Sequence, residues 1–206
     1  MSMPLILHED DPELLREAIQ FTAAQTGFTP RLIEKDYFCG VVLKHLAASG
    51  TGVIFKGGTC LSKIYGGFYR LSEDLDFTLH TPLGSSRAER SRRVDPIRAV
   101  VDALPAHVPG FRAVASLTGA NNSTQYSAVV GYESLLDGHV EHVSIEISVR
   151  EPHLTDAHYG SAKTALQNPL NGKPLVAEYA VWCLYLSGGD GRENSRCTLP
   201  PGNRGT

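Results

Sequence analysis

A short apolar run that stops at two glycines constrains the fold of this chain more than any other feature. Residues 53–55 (Val-Ile-Phe) predict a buried strand, and Gly57 and Gly58 predict a tight turn directly after it. Thr59 follows as a candidate cap for a helix. Glycines leave backbone N–H groups open to a ligand, and a helix begins with the positive end of its dipole. This strand–turn–helix unit therefore favours a phosphate site, and the basic residues that would add charge to it are Lys56 and Lys63.

A pair of carboxylates follows this unit. Asp74 and Asp76 are separated by Leu75 in a segment that continues as Phe77-Thr78-Leu79. In a strand, residues i and i+2 share a face, so both carboxylates point the same way. Adjacent carboxylates repel each other unless a cation lies between them, and Mg²⁺ prefers a few carboxylates together with water and phosphate oxygens. An isolated D-x-D also occurs on solvated edge strands, but the glycine turn upstream favours a site for a metal-bound nucleoside triphosphate.

The amino-acid sequences of these two segments resemble motifs of a known family. Lys56 through Tyr65 reads K-G-G-T-C-L-S-K-I-Y, and Arg70 through Asp76 reads R-L-S-E-D-L-D. Both resemble the nucleotidyltransferase superfamily and, within it, the AbiEii/AbiGii toxin family with its MenT relatives. Residues 33–37 (I-E-K-D-Y) resemble the first helix of that family, so the resemblance covers about residues 30 to 150. It implies an α/β (α+β) fold in which helices flank a mixed sheet of the nucleotidyltransferase type.

Family members use a third acidic residue on a neighbouring strand, and Glu146 is the candidate here. Residues 142–149 alternate between apolar and polar side chains, as a half-buried strand does. Glu146 lies on the polar side of that pattern. The alternative, an ordinary glutamate facing solvent, is also compatible with alternation alone.

The resemblance implies a metal-dependent reaction. Asp74 and Asp76, with Glu146, would hold two Mg²⁺ ions around an NTP while Glu146 helps to activate an acceptor hydroxyl. An NMP would pass to that hydroxyl, in similar toxins at the 3′ end of tRNA, and an antitoxin would be encoded alongside. The nucleotide-binding residues would be Lys56, Gly57, Gly58, Thr59, Lys63 and Ser72. Two alternatives remain open: a truncated, inactive NTP- and Mg²⁺-binding domain, or a transferase that modifies a protein or small molecule.

Composition predicts a compact soluble protein. The chain has 206 residues with 42% hydrophobic content, which suffices for one sizeable core or for a core with a small appendage. We expect a core domain over residues 1–186, including an N-terminal helical layer at 10–50. No segment has the length of a membrane span or the pattern of a leader, so we expect a cytoplasmic protein without a membrane partner. The four cysteines lack C-x-x-C spacing, which predicts buried or incidental thiols rather than a zinc site or disulfides.

Local signals place the main elements. Helices are predicted to open at Asp11-Pro12 and at Thr29-Pro30, the second closing near Gly50. A third is predicted over residues 85–104, ending before Pro105. It carries five arginines, which would either hold an RNA backbone or form a solvated face. Strands are predicted over residues 111–117, 125–132 and 142–149.

The end of the chain does not follow the pattern of the domain. Residues 187–206 lack hydrophobic periodicity, which predicts an irregular tail or linker. A frameshift is a second hypothesis, because codons can be chosen for these residues that encode an amphipathic helix when read one base later. Related toxins carry an E-K-x-x-A helix and an R-D element in this part, and the chain as written has neither. The resemblance therefore implies C-terminal truncation.

Overall fold

Residues 6–65, 71, 73–149 and 156–184 are described in the computed structural model. Its α-helices are α1 (Leu7–Asp10), α2 (Pro12–Thr26), α3 (Pro30–Ala48), α4 (Gly57–Cys60) and α5 (Arg87–His107). A π-helical turn (Leu61–Tyr65) continues α4, and a 3-10 turn (Asn121–Ser123) precedes β4. The strands are β1 (Ile54–Lys56), β2 (Asp74–Thr78), β3 (Phe111–Ala120), β4 (Gln125–Glu133), β5 (Val140–Ser148), β6 (Ala157–Ala162) and β7 (Tyr179–Leu184).

The long helices begin at the capping signals in the sequence. The Asp11 side chain accepts a hydrogen bond from the Leu14 amide, and Thr29 caps α3 in the same way. Ser86 caps α5 and forms a reciprocal capping box with Glu89. The predicted helix starts are therefore confirmed to within two residues.

One helix end was predicted wrongly. Helix α5 continues through Pro105 to His107, although the sequence predicts an end before that proline. A proline removes a single N–H donor. Val101 and Leu104, both buried, keep the last turn packed against the core, and the Val108 amide donates to the Leu104 carbonyl.

The seven strands form one mixed sheet in the order β3-β4-β5-β2-β1-β7-β6. Strand β2 pairs with β5 in parallel, and β1 pairs with β7 in parallel. The remaining neighbours are antiparallel. This architecture confirms the predicted mixed sheet flanked by helices, with α2 and α3 as its N-terminal helical layer.

The two faces of the sheet differ in chemistry. Leu75 and Phe77 of β2 and Ile145 and Ile147 of β5 are buried in one hydrophobic core with residues of α2, α3 and α5. Because side chains alternate along a strand, the residues between them point to the opposite side. We call that side the polar face; it carries Asp74, Asp76, Ser144, Glu146, Ser127 and Gln125.

Several further predictions concern single residues or segments. Cys39, Cys60 and Cys183 are buried free thiols, as expected. Ser72 and the tail 187–206, including its proposed frameshift origin, lie outside the described residues. Within the described ranges, no helix combines the length and apolarity that crossing a membrane requires.

Candidate active site

Strands β2 and β5 bring the three predicted carboxylates onto the polar face. Their parallel register places Asp74 beside Ser144 and Asp76 beside Glu146. Neighbouring strands are about 5 Å apart, so Asp76 and Glu146 are adjacent residues on one surface. Asp74 and Glu146 are exposed and Asp76 is half-buried. A substrate can therefore approach all three from the same side.

The glycine turn lies directly against one of these carboxylates. Lys56, the last residue of β1, is the antiparallel partner of Asp76. Gly57 follows with a φ of +77°, and a Cβ atom at this position would lie 2.3 Å from Oδ2 of Asp76. Only glycine combines this conformation with so close an approach. The turn, Lys56 and Asp76 are thus adjacent in the structure.

Two of the predicted nucleotide-binding side chains are buried and form hydrogen bonds inside the protein. Thr59 is fully buried, and its hydroxyl donates to the backbone carbonyl of Asp74 at 2.5 Å instead of capping a helix. Lys63 is also fully buried, and its ammonium group bonds Oδ1 of Asp36 at 2.6 Å and the Asp36 carbonyl at 3.0 Å. An ammonium group held in this way does not face a bound phosphate. Both side chains therefore stabilise the elements that carry the site, and the half-buried Lys56 is the predicted lysine that remains at the turn.

Helix α3 supplies positioning residues whose role no sequence pattern predicts. Nζ of Lys35 lies 2.5 Å from Oε2 of Glu73, which immediately precedes Asp74. The hydrogen bond from Lys35 holds the pKa of the Glu73 carboxyl below its usual value. Asp36 accepts both from Lys63 and from the amide of Ala165. The I-E-K-D-Y segment resembles the first helix of the family, but the local sequence pattern does not predict these contacts.

Glu34 of the same helix turn is buried and anchors the connection between β4 and β5. Its two carboxyl oxygens accept from the Ser134 hydroxyl at 2.8 Å and from the Leu135 amide at 2.7 Å. Burial nevertheless raises the pKa of this carboxyl, although the two hydrogen bonds act to lower it. Glu34 therefore acts in the framework beneath β5 and not in the site itself.

The arginines of α5 lie on the core side of the sheet. Arg90 donates to the carbonyl of Asn122, and Arg98 donates to that of Leu117. An open depression of about 390 Å³ is lined by Glu89, Arg92 and Arg93 together with the 82–85 loop, and not by the three predicted site carboxylates. The predicted helix is thus present, but the sheet separates it from Glu146.

The chemistry of the carboxylate set fits Mg²⁺. Within the described parts of the chain, no three His, Cys, Asp or Glu side chains are grouped closely enough to hold an ion by themselves. Mg²⁺ is usually held by one or two carboxylates and completes its shell with water and substrate phosphates. Asp74, Asp76 and Glu146 are residues of that kind, and they lie on neighbouring strands next to the glycine turn.

A family model described as nucleotidyl transferase AbiEii toxin, type IV TA system, matches residues 41–181. No curated protein matches the chain. The solved structure of JHP933 from Helicobacter pylori is 18% identical, with 77% of this chain and 54% of that chain covered and a TM-score of 0.47. A candidate nucleotidyltransferase from H. pylori is 16% identical over 77% and 56%, with the same TM-score of 0.47. The chain thus spans about half the length of these solved chains.

Proposed function

Because the chain belongs to the AbiEii nucleotidyltransferase toxin family, we propose that it transfers an NMP unit from an NTP to an acceptor hydroxyl in a metal-dependent reaction. The acceptor is RNA, at the 3′ end of tRNA, and the biological setting is a toxin with a cognate antitoxin. One observation carries the proposal: Lys56, Asp76 and Glu146 lie side by side on three neighbouring strands, with the glycine turn at one end.

The nucleotide occupies the β1 side of this row. Lys56 is half-buried and supplies a positive charge beside Asp76. The backbone at Gly57 and Gly58 carries no side chain that would keep a phosphate away. These groups orient the triphosphate with its α-phosphorus toward the carboxylates, and positioning of this kind is the main contribution of a protein to phosphoryl transfer.

Asp74, Asp76 and Glu146 are the residues that would hold Mg²⁺. When bound, the metal neutralises charge on the phosphates and polarises the acceptor oxygen. Glu146, at the far side of the row from the glycine turn, accepts the proton of the acceptor hydroxyl. The oxygen then bonds the α-phosphorus, the bond between that phosphorus and the bridging oxygen to the β-phosphorus breaks, and pyrophosphate leaves.

Transfer from labelled NTPs to RNA tests this function. The full chain is incubated with Mg²⁺, each labelled NTP and total cell extract, and label is followed in RNA, protein and small molecules. Asp76→Asn and Glu146→Gln should each reduce RNA labelling by about 10²-fold or more. Asp102→Asn, an exposed aspartate on α5, is the matched control and should leave labelling unchanged.

Each other outcome has a definite meaning. Undiminished labelling by Asp76→Asn would refute the assignment of the site. Mg²⁺-dependent NTP binding without any product would identify a binding domain in place of an enzyme. Label that appears in protein or in small molecules would replace RNA as the acceptor.

A further inference from the structure

The row of site residues continues beyond Glu146 onto two more strands. Ser127 of β4 is the register partner of Glu146, and Thr118 of β3 is the partner of Ser127. Both side chains are exposed on the polar face. Across five strands the row therefore reads Lys56, Asp76, Glu146, Ser127, Thr118. The two ends of this row differ in chemistry. Lys56 and the glycine turn lie at one end, and the hydroxyl groups of Ser127 and Thr118 lie at the other.

A basic pair lies on the same face, farther along these strands. Arg112 and His142 are both register partners of Gly131, and both are exposed. A Cβ atom at Gly131 would lie 3.2 Å from Cγ and 3.3 Å from Nε of Arg112, so the arginine side chain extends across the position that glycine leaves open. Neither Arg112 nor His142 forms an ion pair with another residue in the described ranges. Their donors are therefore available to an external anion.

The distance between this pair and Glu146 sets a minimum length for an acceptor that contacts both. His142 and Glu146 are four residues apart on β5, which corresponds to about 13 Å along the strand. An arginine fork on one side of Gly131 and an imidazole on the other side are donors that suit a phosphate group. A phosphate bound there while a hydroxyl of the same molecule reaches Glu146 requires an acceptor longer than one nucleoside.

We propose that Arg112 and His142 form a phosphate-binding site for the acceptor strand, which lies along β4 and β5 with its terminal hydroxyl at Glu146. Ser127 and Thr118 contact the sugar nearest that hydroxyl. This inference rests on the proposed function, and it assigns the β1 side of the polar face to the NTP and the β3–β5 side to a polynucleotide. The arginines of α5 are excluded from this path because they lie on the other face of the sheet.

Two measurements on the full chain test this site. The first is the KM for total RNA and, separately, for the NTP in the transfer assay. The second is the affinity for a fluorescent single-stranded oligoribonucleotide at several salt concentrations, which does not depend on turnover. Arg112→Glu and Arg112→Ala are compared with Arg92→Glu and Arg92→Ala, which change an exposed arginine of α5 in the same way.

We expect Arg112→Ala to raise the KM for RNA and to weaken oligoribonucleotide binding by about tenfold, the loss of one charge-assisted hydrogen bond. The slope of log affinity against log salt should fall by about 0.7, the value for one contact with a single strand. The KM for the NTP should not change. Ser127→Ala removes a hydroxyl but no charge, so it should weaken binding less and leave the salt slope unchanged.

The outcomes separate this inference from the proposed function. If wild-type chain transfers label to RNA but the Arg112 variants match it in KM and salt slope, the phosphate site is refuted. A larger effect of the Arg92 variants would also refute it, because the acceptor would then cross α5. If the wild type transfers nothing, the proposed function fails, and the effect of Arg112 on oligoribonucleotide binding still decides the site.

Discussion

Alanine in place of Gly57 tests how closely the turn and the carboxylate depend on each other. The φ of Gly57 is +77°, a conformation that disfavours any residue with a Cβ atom. That atom would also lie 2.3 Å from Oδ2 and 2.9 Å from both Cβ and Cγ of Asp76. Ordinary contacts between such atoms begin near 3.4 Å. Either the turn or Asp76 must therefore move by about 1 Å, the difference between these distances.

The strain in the backbone at residue 57 and the displacement of Asp76 have effects of different magnitude. The left-handed conformation costs a non-glycine residue about 1–2 kcal/mol, which lowers the ratio of folded to unfolded protein by about 5- to 30-fold. Displacement of a catalytic group by about 1 Å can reduce a reaction rate by about 10²-fold. We therefore expect Gly57→Ala to fold, with reduced stability, and to lose most of its transfer activity.

Gly52→Ala is the matched control, because Gly52 has a φ of +75° and no atom within 4 Å of the added Cβ position. Unfolding in urea can be followed by the fluorescence of Trp182, the one tryptophan in the chain. Both variants should lose about 1–2 kcal/mol of unfolding free energy, and only Gly57→Ala should lose NTP binding and transfer. Equal activity of the two variants would show that the turn does not position Asp76, and the site as described would be wrong.

Three further substitutions test the framework around the site. Lys63→Ala leaves the buried Asp36 carboxylate without its cation and should lower the unfolding free energy by about 3–5 kcal/mol in urea titrations. The double substitution of Lys63→Met with Asp36→Asn should recover part of this loss. If it recovers none, the loss does not come from an unpaired charge. Burial raises the pKa of Glu34 above 4.5, so the folded protein holds the proton of this carboxyl more tightly than the unfolded chain does. The unfolding free energy should therefore fall as the pH rises from about 4.5 through the raised pKa. Glu34→Gln should remove that part of the pH dependence, and an unchanged profile would assign it to other groups. Ser86→Ala should lower the melting temperature through a loss of about 1 kcal/mol at the cap of α5, whereas Ser91→Ala, inside the same helix, should have little effect or a slightly stabilising one.

Local chemistry explains why much of the fold was predictable. The starts of α2 and α3 depend on a capping side chain followed by proline, and these signals lie within a few residues of each other. The alternation of β5 depends only on its own residues. Pro105 shows the limit of such rules, because the packing of the helix it belongs to outweighs a local preference for ending there.

The sequence indicates the residue types of the candidate site but not their relative positions. Alternation shows that Asp76 and Glu146 each lie on the polar side of a strand, yet their register depends on pairing between segments about 70 positions apart. The direction of Lys63 was not predictable either. It follows from the π-helical turn and from Asp36, whose position nothing near Lys63 in the sequence reveals.

Three consecutive residues of α3 explain how a site made from distant segments is held together. Successive residues of a helix point about 100° apart, so one turn can contact three different neighbours. Glu34 bonds the connection before β5, Lys35 bonds the residue before Asp74, and Asp36 bonds the turn that follows the glycines. Each strand or turn that carries a proposed site residue is thus bonded, directly or through a neighbouring residue, to its own side chain of α3. The relative positions of Gly57, Asp76 and Glu146 therefore depend on the packing of α3 as much as on the sheet.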